Sequence, residues 1–265
     1  MLSNIRVVLV RTFHSGNIGS ASRAMKTMGL TDLCLVSPKG FEIREGKQEA
    51  LKMAMSADDV VENAQIVDSL YEAVKDCTVV IASTARTRGY DLPEVNPEEC
   101  AAKLNQGAKN GKVALVFGPE RMGLSNEDLQ LAKYRVTIPT NPDYSSLNIA
   151  AAVQTLSYEI FKGSGQDSVN KEKKQAEPQV EQGEARALPT AESLERLYAH
   201  MESTFSDTGF IIKNHPGEIM QKLRNVFTRA ELDESEVSIL RGVLSSVDRS
   251  IGRSTDTASE EGHEK

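Results

Sequence analysis

The chain has 265 residues, 39% of them hydrophobic, enough for one large domain, or a domain and an appendage, around a true core. No apolar run approaches the roughly 20 residues of a membrane span, and the opening MLSNIRVVLVRT lacks a signal peptide's cleavage region, so a cytoplasmic address is expected. A net charge of −7 argues against a broadly basic nucleic-acid binder, although residues 1–162 hold 18 Lys and Arg against 19 Asp and Glu and leave room for a local basic patch.

In chain order, apolar runs rich in branched residues predict strands over 5–10, 33–36, 78–82, 113–117 and 135–138. Between them, helical character is expected over 17–28, 69–75, 97–108 and 125–132. That alternation reads as an α/β domain with a mostly parallel sheet. Segment 145–161 reads as a further helix. Leu147, Ile149, Ala150, Ala151, Ala152 and Val153 leave it almost no polar face at its start, so it should be buried between layers or against a second subunit.

The stretch GSGQDSVNKEKKQAEPQVEQGEARAL from Gly163 is polar, poor in aromatics and punctuated by Gly and Pro, which predicts a flexible linker. Thr190 then caps a helix, and helical patterns recur over 216–229 and 234–249 before a polar tail. The expected domains are therefore 1–162, a linker over 163–189, a small all-helical extension over 190–251 and a disordered tail over 252–265.

Cys34, Cys77 and Cys100 form no C-x-x-C pair, and His14, His200, His215 and His263 show no ligand spacing beside them, so neither a metal nor a disulfide framework is expected. Three loops carry candidate chemistry. The first, HSGNIGSASRAMKTMGL, follows the first strand and brings Gly16, Gly19, Ser20 and Ala21 to a helix N-terminus suited to a phosphate, with Arg23 on the face of Gly19 and Ser20. It matches neither the phosphate-loop pattern nor the G-x-G-x-x-G dinucleotide fingerprint.

The second loop, LVFGPERMGLSNEDL, turns over Gly118 and Pro119 and sets Glu120 at the carboxyl end of a strand, where open α/β sheets bind ligands. Ser125 and Asp128 have the spacing of a capping box. In the third, VTIPTNPDYSSLNIAAAVQTLSYEI, hydroxyl and amide groups of Ser145, Ser146 and Asn148 stand against an apolar helix, a costly arrangement unless they bond to something. Capping by Ser145 or Ser146 accounts for only one of them.

Taken together, N-x5-R in the first loop, F-G-x-E-x-x-G in the second and I-P with S-S-L-N in the third resemble the three signature motifs of the SpoU (TrmH-like) branch of the SPOUT methyltransferases. TGFIIKNHPGEIMQKLRNVFTRAEL and ILRGVL, past the linker, are similar to the extension of members that methylate transfer RNA at nucleotide 32, so the resemblance covers most of residues 1–250. It implies a SPOUT-type sheet whose carboxyl-terminal part is tied in a deep trefoil knot, a homodimer, and S-adenosylmethionine held in the knot loops. Knots run against ordinary chain topology, so only the resemblance supports that expectation.

By position, the resemblance assigns the cofactor to Ala82, Ser83 and Thr84, to Phe117, Gly118 and Glu120, and to Ile138 with Ser146, Leu147 and Asn148. It implies transfer of a methyl group to a ribose 2′-hydroxyl of tRNA with Arg23 at the centre, supported by Asn17, Glu120, Ser146 and Asn148. Arginine stays protonated at neutral pH and is a poor base, which favours Arg23 as a phosphate clamp. Arg11, Arg86 and Arg88 beside predicted strand ends are expected to meet the RNA backbone. So is a helix face of the extension carrying Lys222, Asn225 and Arg229, opposite Ile219, Met220, Leu223 and Phe227.

Three rivals stand beside this expectation. A ribosomal RNA methyltransferase would share every one of these residues of the first domain. A non-catalytic RNA-binding protein of the same fold would have no need of the intact polar set, and a small-molecule enzyme using His14 lacks an identifiable carboxylate partner for it.

Overall fold

The structure is a computed structural model and describes residues 1–41, 44–84, 92–165, 187–211 and 217–252. The chain divides into two compact units, Met1–Ala185 and Arg186–Lys265. The 166–186 part of the expected linker, the tail beyond Gly252, and Arg86 with Arg88 lie outside the described residues.

The first unit is built on a 7-stranded sheet in the order β3-β2-β1-β6-β4-β7-β5. Its strands are β1 (Ile5–Val10), β2 (Asp32–Val36), β3 (Gln65–Val67), β4 (Cys77–Ser83), β5 (Glu94–Val95), β6 (Lys112–Phe117) and β7 (Tyr134–Val136), and every pairing is parallel. Parallel strands need helical crossovers, which cover both faces and make central strands apolar throughout. All six residues of β1 are buried accordingly. Ile5, Leu9, Leu33, Leu35, Ile81 and Leu115 are fully buried, each contributing about 1.5–3 kcal/mol.

One residue of β1 breaks that rule. The Arg6 guanidinium, 3% exposed, donates to Asp32 (3.1 Å), to Asp76 (2.9 Å) and to the Ala73 carbonyl (2.7 Å). A buried cation is tolerable only when paired in this way. It ties β1 to β2 and to the end of the helix Leu70–Val74 that follows β3.

The crossover helices are α1 (Ser15–Thr27), α2 (Arg44–Ala54), α3 (Asp58–Glu62), α4 (Leu70–Val74), α5 (Pro97–Gly107) and α6 (Asn126–Gln130), and α7 (Ile149–Gly163) follows the last strand. Helices α1 and α2 meet at backbone distance, because a Cβ on Gly19 would lie 1.9 Å from the Ala50 carbonyl oxygen. Sequence patterns miss α2 for the same reason: its buried side are Gly46, Ala50 and Ala54, with no large apolar stripe.

The helix expected over 145–161 begins later, at Ile149. Asn148 is its N-cap and accepts from the Ala150 N–H at 2.9 Å, so neither Ser145 nor Ser146 caps it, and 145–148 remain loop. Helix α7 buries Ile149, Val153, Leu156, Ser157 and Ile160, while Ala151 and Tyr158 are exposed.

The second unit packs α8 (Ala191–Asp207), α9 (Gly217–Ala230) and α10 (Glu234–Ser250) around Leu197, Tyr198, Met201, Ile211, Met220, Val237 and Leu244. Thr190 caps α8 by accepting from Ser193 N–H, and Asp233 with Glu236 forms a capping box on α10. The Asp248 carboxylate is buried between His200 Nε2 (2.8 Å) and the Thr204 hydroxyl (2.7 Å).

Candidate active site

The strand order sets β1, β6, β4 and β7 side by side, and because they are parallel their carboxyl ends share one edge. The loops after them therefore converge, as open α/β sheets require of a ligand site. Those after β4, β6 and β7 line a cavity of about 150 Å³ whose walls include Ser83, Thr84, Phe117, Gly118, Glu120, Ile138, Ser146 and Leu147. Of the expected cofactor set, Ala82 instead lies buried within β4, and Asn148 stands beside the cavity lining as the cap of α7.

Gly118 is required by a close approach. A Cβ there would fall 2.4 Å from the Leu124 nitrogen, so the turn folds back on itself and presents backbone to the cavity. Gly123 closes the same turn at φ +68°. Pro119, Met122, Leu124, Leu129, Ile149 and Ala152 complete walls that sequence reasoning did not single out. Apolar side chains around serine and threonine hydroxyls and loop backbone are a fitting lining for an adenosyl group.

At the mouth, three distant segments join. Glu120 Oε1 accepts from Asn17 Nδ2 at 2.8 Å, and Glu120 Oε2 accepts from the Phe13 N–H at 3.1 Å. Asn17 Oδ1 in turn accepts from Asn148 Nδ2 at 3.0 Å. Burial pushes the Glu120 carboxyl up, but hydrogen bonds from Asn17 and from the backbone at Phe13 and His14 outweigh it and hold it below the ordinary glutamate value. An ionised carboxylate thus orders two amides at the edge of the cavity.

Arg23 is placed elsewhere, on an exposed face of α1, and does not line the cavity. Arg11, at φ +50°, is held by Asp128, whose carboxylate also accepts from Ser125 N–H at 2.8 Å in the capping box of α6. Its charge fastens the end of β1 to the start of α6. Lys222 and Arg229 are exposed on α9, whereas Arg224 of the same helix pairs with Glu195 at 2.8 Å.

Among the described residues no group of three His, Cys, Asp or Glu could hold a metal ion, and no helix is long and apolar enough to cross a membrane. The three cysteines are free, and burial pushes their thiols up, Cys34 to about 11 and Cys77 and Cys100 to about 12, which leaves them protonated at neutral pH.

Residues 4–158 match the model of the SpoU rRNA Methylase family. The chain belongs to that family. The second unit of this SpoU methylase matches, over 192–257, the C-terminal domain of the tRNA methyltransferase TrmJ. The chain is 47% identical to the tRNA (cytidine/uridine-2′-O-)-methyltransferase TrmJ of Klebsiella pneumoniae, over 94% of its own length and 98% of that protein. It is 48% identical to the Escherichia coli protein of that name, over 94% and 97%. The solved structure of TrmJ from Z. mobilis superposes with a TM-score of 0.75 at 34% identity, covering 92% of this chain and 98% of that one.

Proposed function

We propose that this SpoU methylase transfers a methyl group from S-adenosylmethionine to the ribose 2′-hydroxyl of nucleotide 32 in the anticodon loop of tRNA. The reading is carried by one observation: Asn17, Glu120 and Asn148, each unremarkable alone, form a single hydrogen-bonded set at the mouth of the cavity. Near-full-length likeness to proteins named for tRNA 2′-O-methylation supports it.

When bound, S-adenosylmethionine supplies an electrophilic methyl on a sulfonium. The residues of the chain do the rest by positioning. Phe117, Leu124, Ile138 and Leu147 exclude water from the cavity, and Ser146 and Thr84 offer hydroxyls toward its contents. Asn17, fixed by Glu120, and Asn148, fixed by the α7 terminus, orient the attacking ribose. Arg23 acts as the clamp on an RNA phosphate, a role its exposed place on α1 allows and its permanent charge suits.

Three further features belong to this reading. The enzyme works as a homodimer, to which the exposed Ala151 and Tyr158 of α7 offer a surface. The carboxyl-terminal part of the sheet is tied in a deep trefoil knot, and the setting is the cytoplasm. Lys222 and Arg229 on α9 contact the tRNA backbone, with Arg86 and Arg88 joining from the first unit.

Ribosomal RNA is the substrate class that the family's description favours, and the match of the second unit to a tRNA methyltransferase domain favours tRNA. Radiolabelled methyl transfer from S-adenosylmethionine to unmodified tRNA and to ribosomal RNA, followed by nucleoside mapping, decides between them. A 2′-O-methyl product at nucleotide 32 is expected. Transfer to ribosomal RNA alone overturns the tRNA assignment.

A further inference from the structure

A second cavity, of about 550 Å³, opens on the other side of the 119–124 loop, where Arg11, Phe13, Lys39, Ser125 and Glu127 join the loop in lining it. Residues 119–124 line both cavities, and within that shared loop Glu120 carries the carboxylate that accepts from Asn17 and from the Phe13 N–H. Phe13 walls the second cavity and is 57% exposed, in a chain with only 5% aromatic residues. Leaving that ring in water is costly unless something covers it.

Several contacts hold Phe13 in register with the carboxylate. Its own N–H donates to Glu120, His14 packs edge-on with centroids 5.2 Å apart, and Lys39 Nζ lies 6.0 Å over the ring. Arg121 and Lys39 bring positive charge to the rim, against the carboxylate of Glu127. An aromatic face flanked by cations is the arrangement that stacks an unpaired nucleobase while its phosphates are neutralised.

We propose that this second cavity receives the base of the target nucleotide, stacked on Phe13, with its ribose delivered to Glu120 and Asn17. The proposal rests on the RNA 2′-O-methylation reading and adds to it a residue that positions the substrate. In this arrangement the methyl donor and the nucleotide approach from opposite sides of the 119–124 loop. Phe13 accepts any base with a π-face, and its contribution is stacking.

The chain contains no tryptophan, so Phe13→Trp in the full-length protein installs a single fluorophore at the site. It is titrated with two unmodified tRNA transcripts, one intact and one abasic at the nucleotide the wild type methylates. The intact RNA is expected to quench the emission. The abasic RNA is expected to bind, by fluorescence polarisation of an end label, with little quenching. Equal quenching by both RNAs, or quenching by neither, overturns the proposal.

In parallel, Phe13→Leu keeps apolar bulk but removes the π-face. Its KM for tRNA should rise about 5- to 100-fold with S-adenosylmethionine affinity unchanged, and Phe13→Tyr should restore it. An unchanged KM in Phe13→Leu, with RNA methylated normally by the wild type, removes the stacking platform and leaves the 2′-O-methylation reading standing. Failure of the wild type to methylate any RNA removes that reading itself, and the stacking proposal with it.

Discussion

The two units bury their apolar residues by different routes, and the routes decide how each carries function. In Met1–Ala185 the core lies on parallel strands, and the polar residues that matter are delivered by the segments that follow those strands, the first turn of α1, the 118–123 turn and the cap of α7, so Asn17 meets Glu120 across 103 positions and Asn148 across 131. In Arg186–Lys265 three helices, α8 and α10 among them capped, turn Leu197, Met201, Met220 and Leu244 inward. Its outward surface is what remains of each helix, including Lys222 and Arg229. Long-range convergence builds a site that one substitution can dismantle, whereas a helical surface spreads its contribution over many side chains.

The sharpest break of that contrast is at Glu120. Glu120→Gln removes the charge that orders Asn17 and the Phe13 backbone, and kcat is expected to fall about 10²–10³-fold with the fold intact by circular dichroism. Arg6→Met comes next. It leaves Asp32 and Asp76 without their buried partner and should destabilise the first unit by about 3 kcal/mol in urea unfolding, while the transition of the second unit stays put.

Asn17→Ala sharpens the comparison through pH. In the folded protein the Glu120 carboxyl is depressed, so the stabilisation it gives is complete above the ordinary glutamate value and is lost as pH falls through the depressed one. Removing Asn17 takes away the largest of the bonds that oppose burial, so the group rises. The acid limb of the pH–rate profile therefore moves to higher pH, alongside a loss of about tenfold in kcat at neutral pH. The smallest effect belongs to the second unit: Lys222→Ala combined with Arg229→Ala should weaken tRNA binding a few-fold and reduce its salt slope by about 2, read by filter binding across a salt series.

Much of the first unit was legible because strands buried on both faces read as nearly continuous apolar runs, which is how Ile5–Val10, despite Arg6, and 113–117 stand out. Edge elements escaped. Gln65 and Ile66 of β3 are exposed, and β5 is two residues long, so neither has a pattern to read. Arg6 was invisible because its partners at 32 and 76 come together only in the fold. The start of α7 was misread because Leu147 extends the apolar run that Ile149 begins, although the capping amide at Asn148 lies between them. At the site, Glu120 and Asn148 stood out as polar groups of their loops and Asn17 through the resemblance, but no local pattern links residues so far apart. Asp128, which occupies Arg11, carried no long-range signal at all.

A helix N-terminus can only offer N–H groups, so the Ala150 nitrogen dictates that the oxygen of Asn148 faces inward to α7. The amide nitrogen is then left to donate to Asn17, whose own nitrogen is left to donate to Glu120. The relay has one permitted polarity, set by a helix end that the carboxylate never touches. Deamidation of either asparagine, a change of almost no volume, turns a donor into an acceptor and sets oxygen against oxygen. Asn17→Asp and Asn148→Asp, which make that change directly, would therefore cost activity while the shape of the protein stays the same.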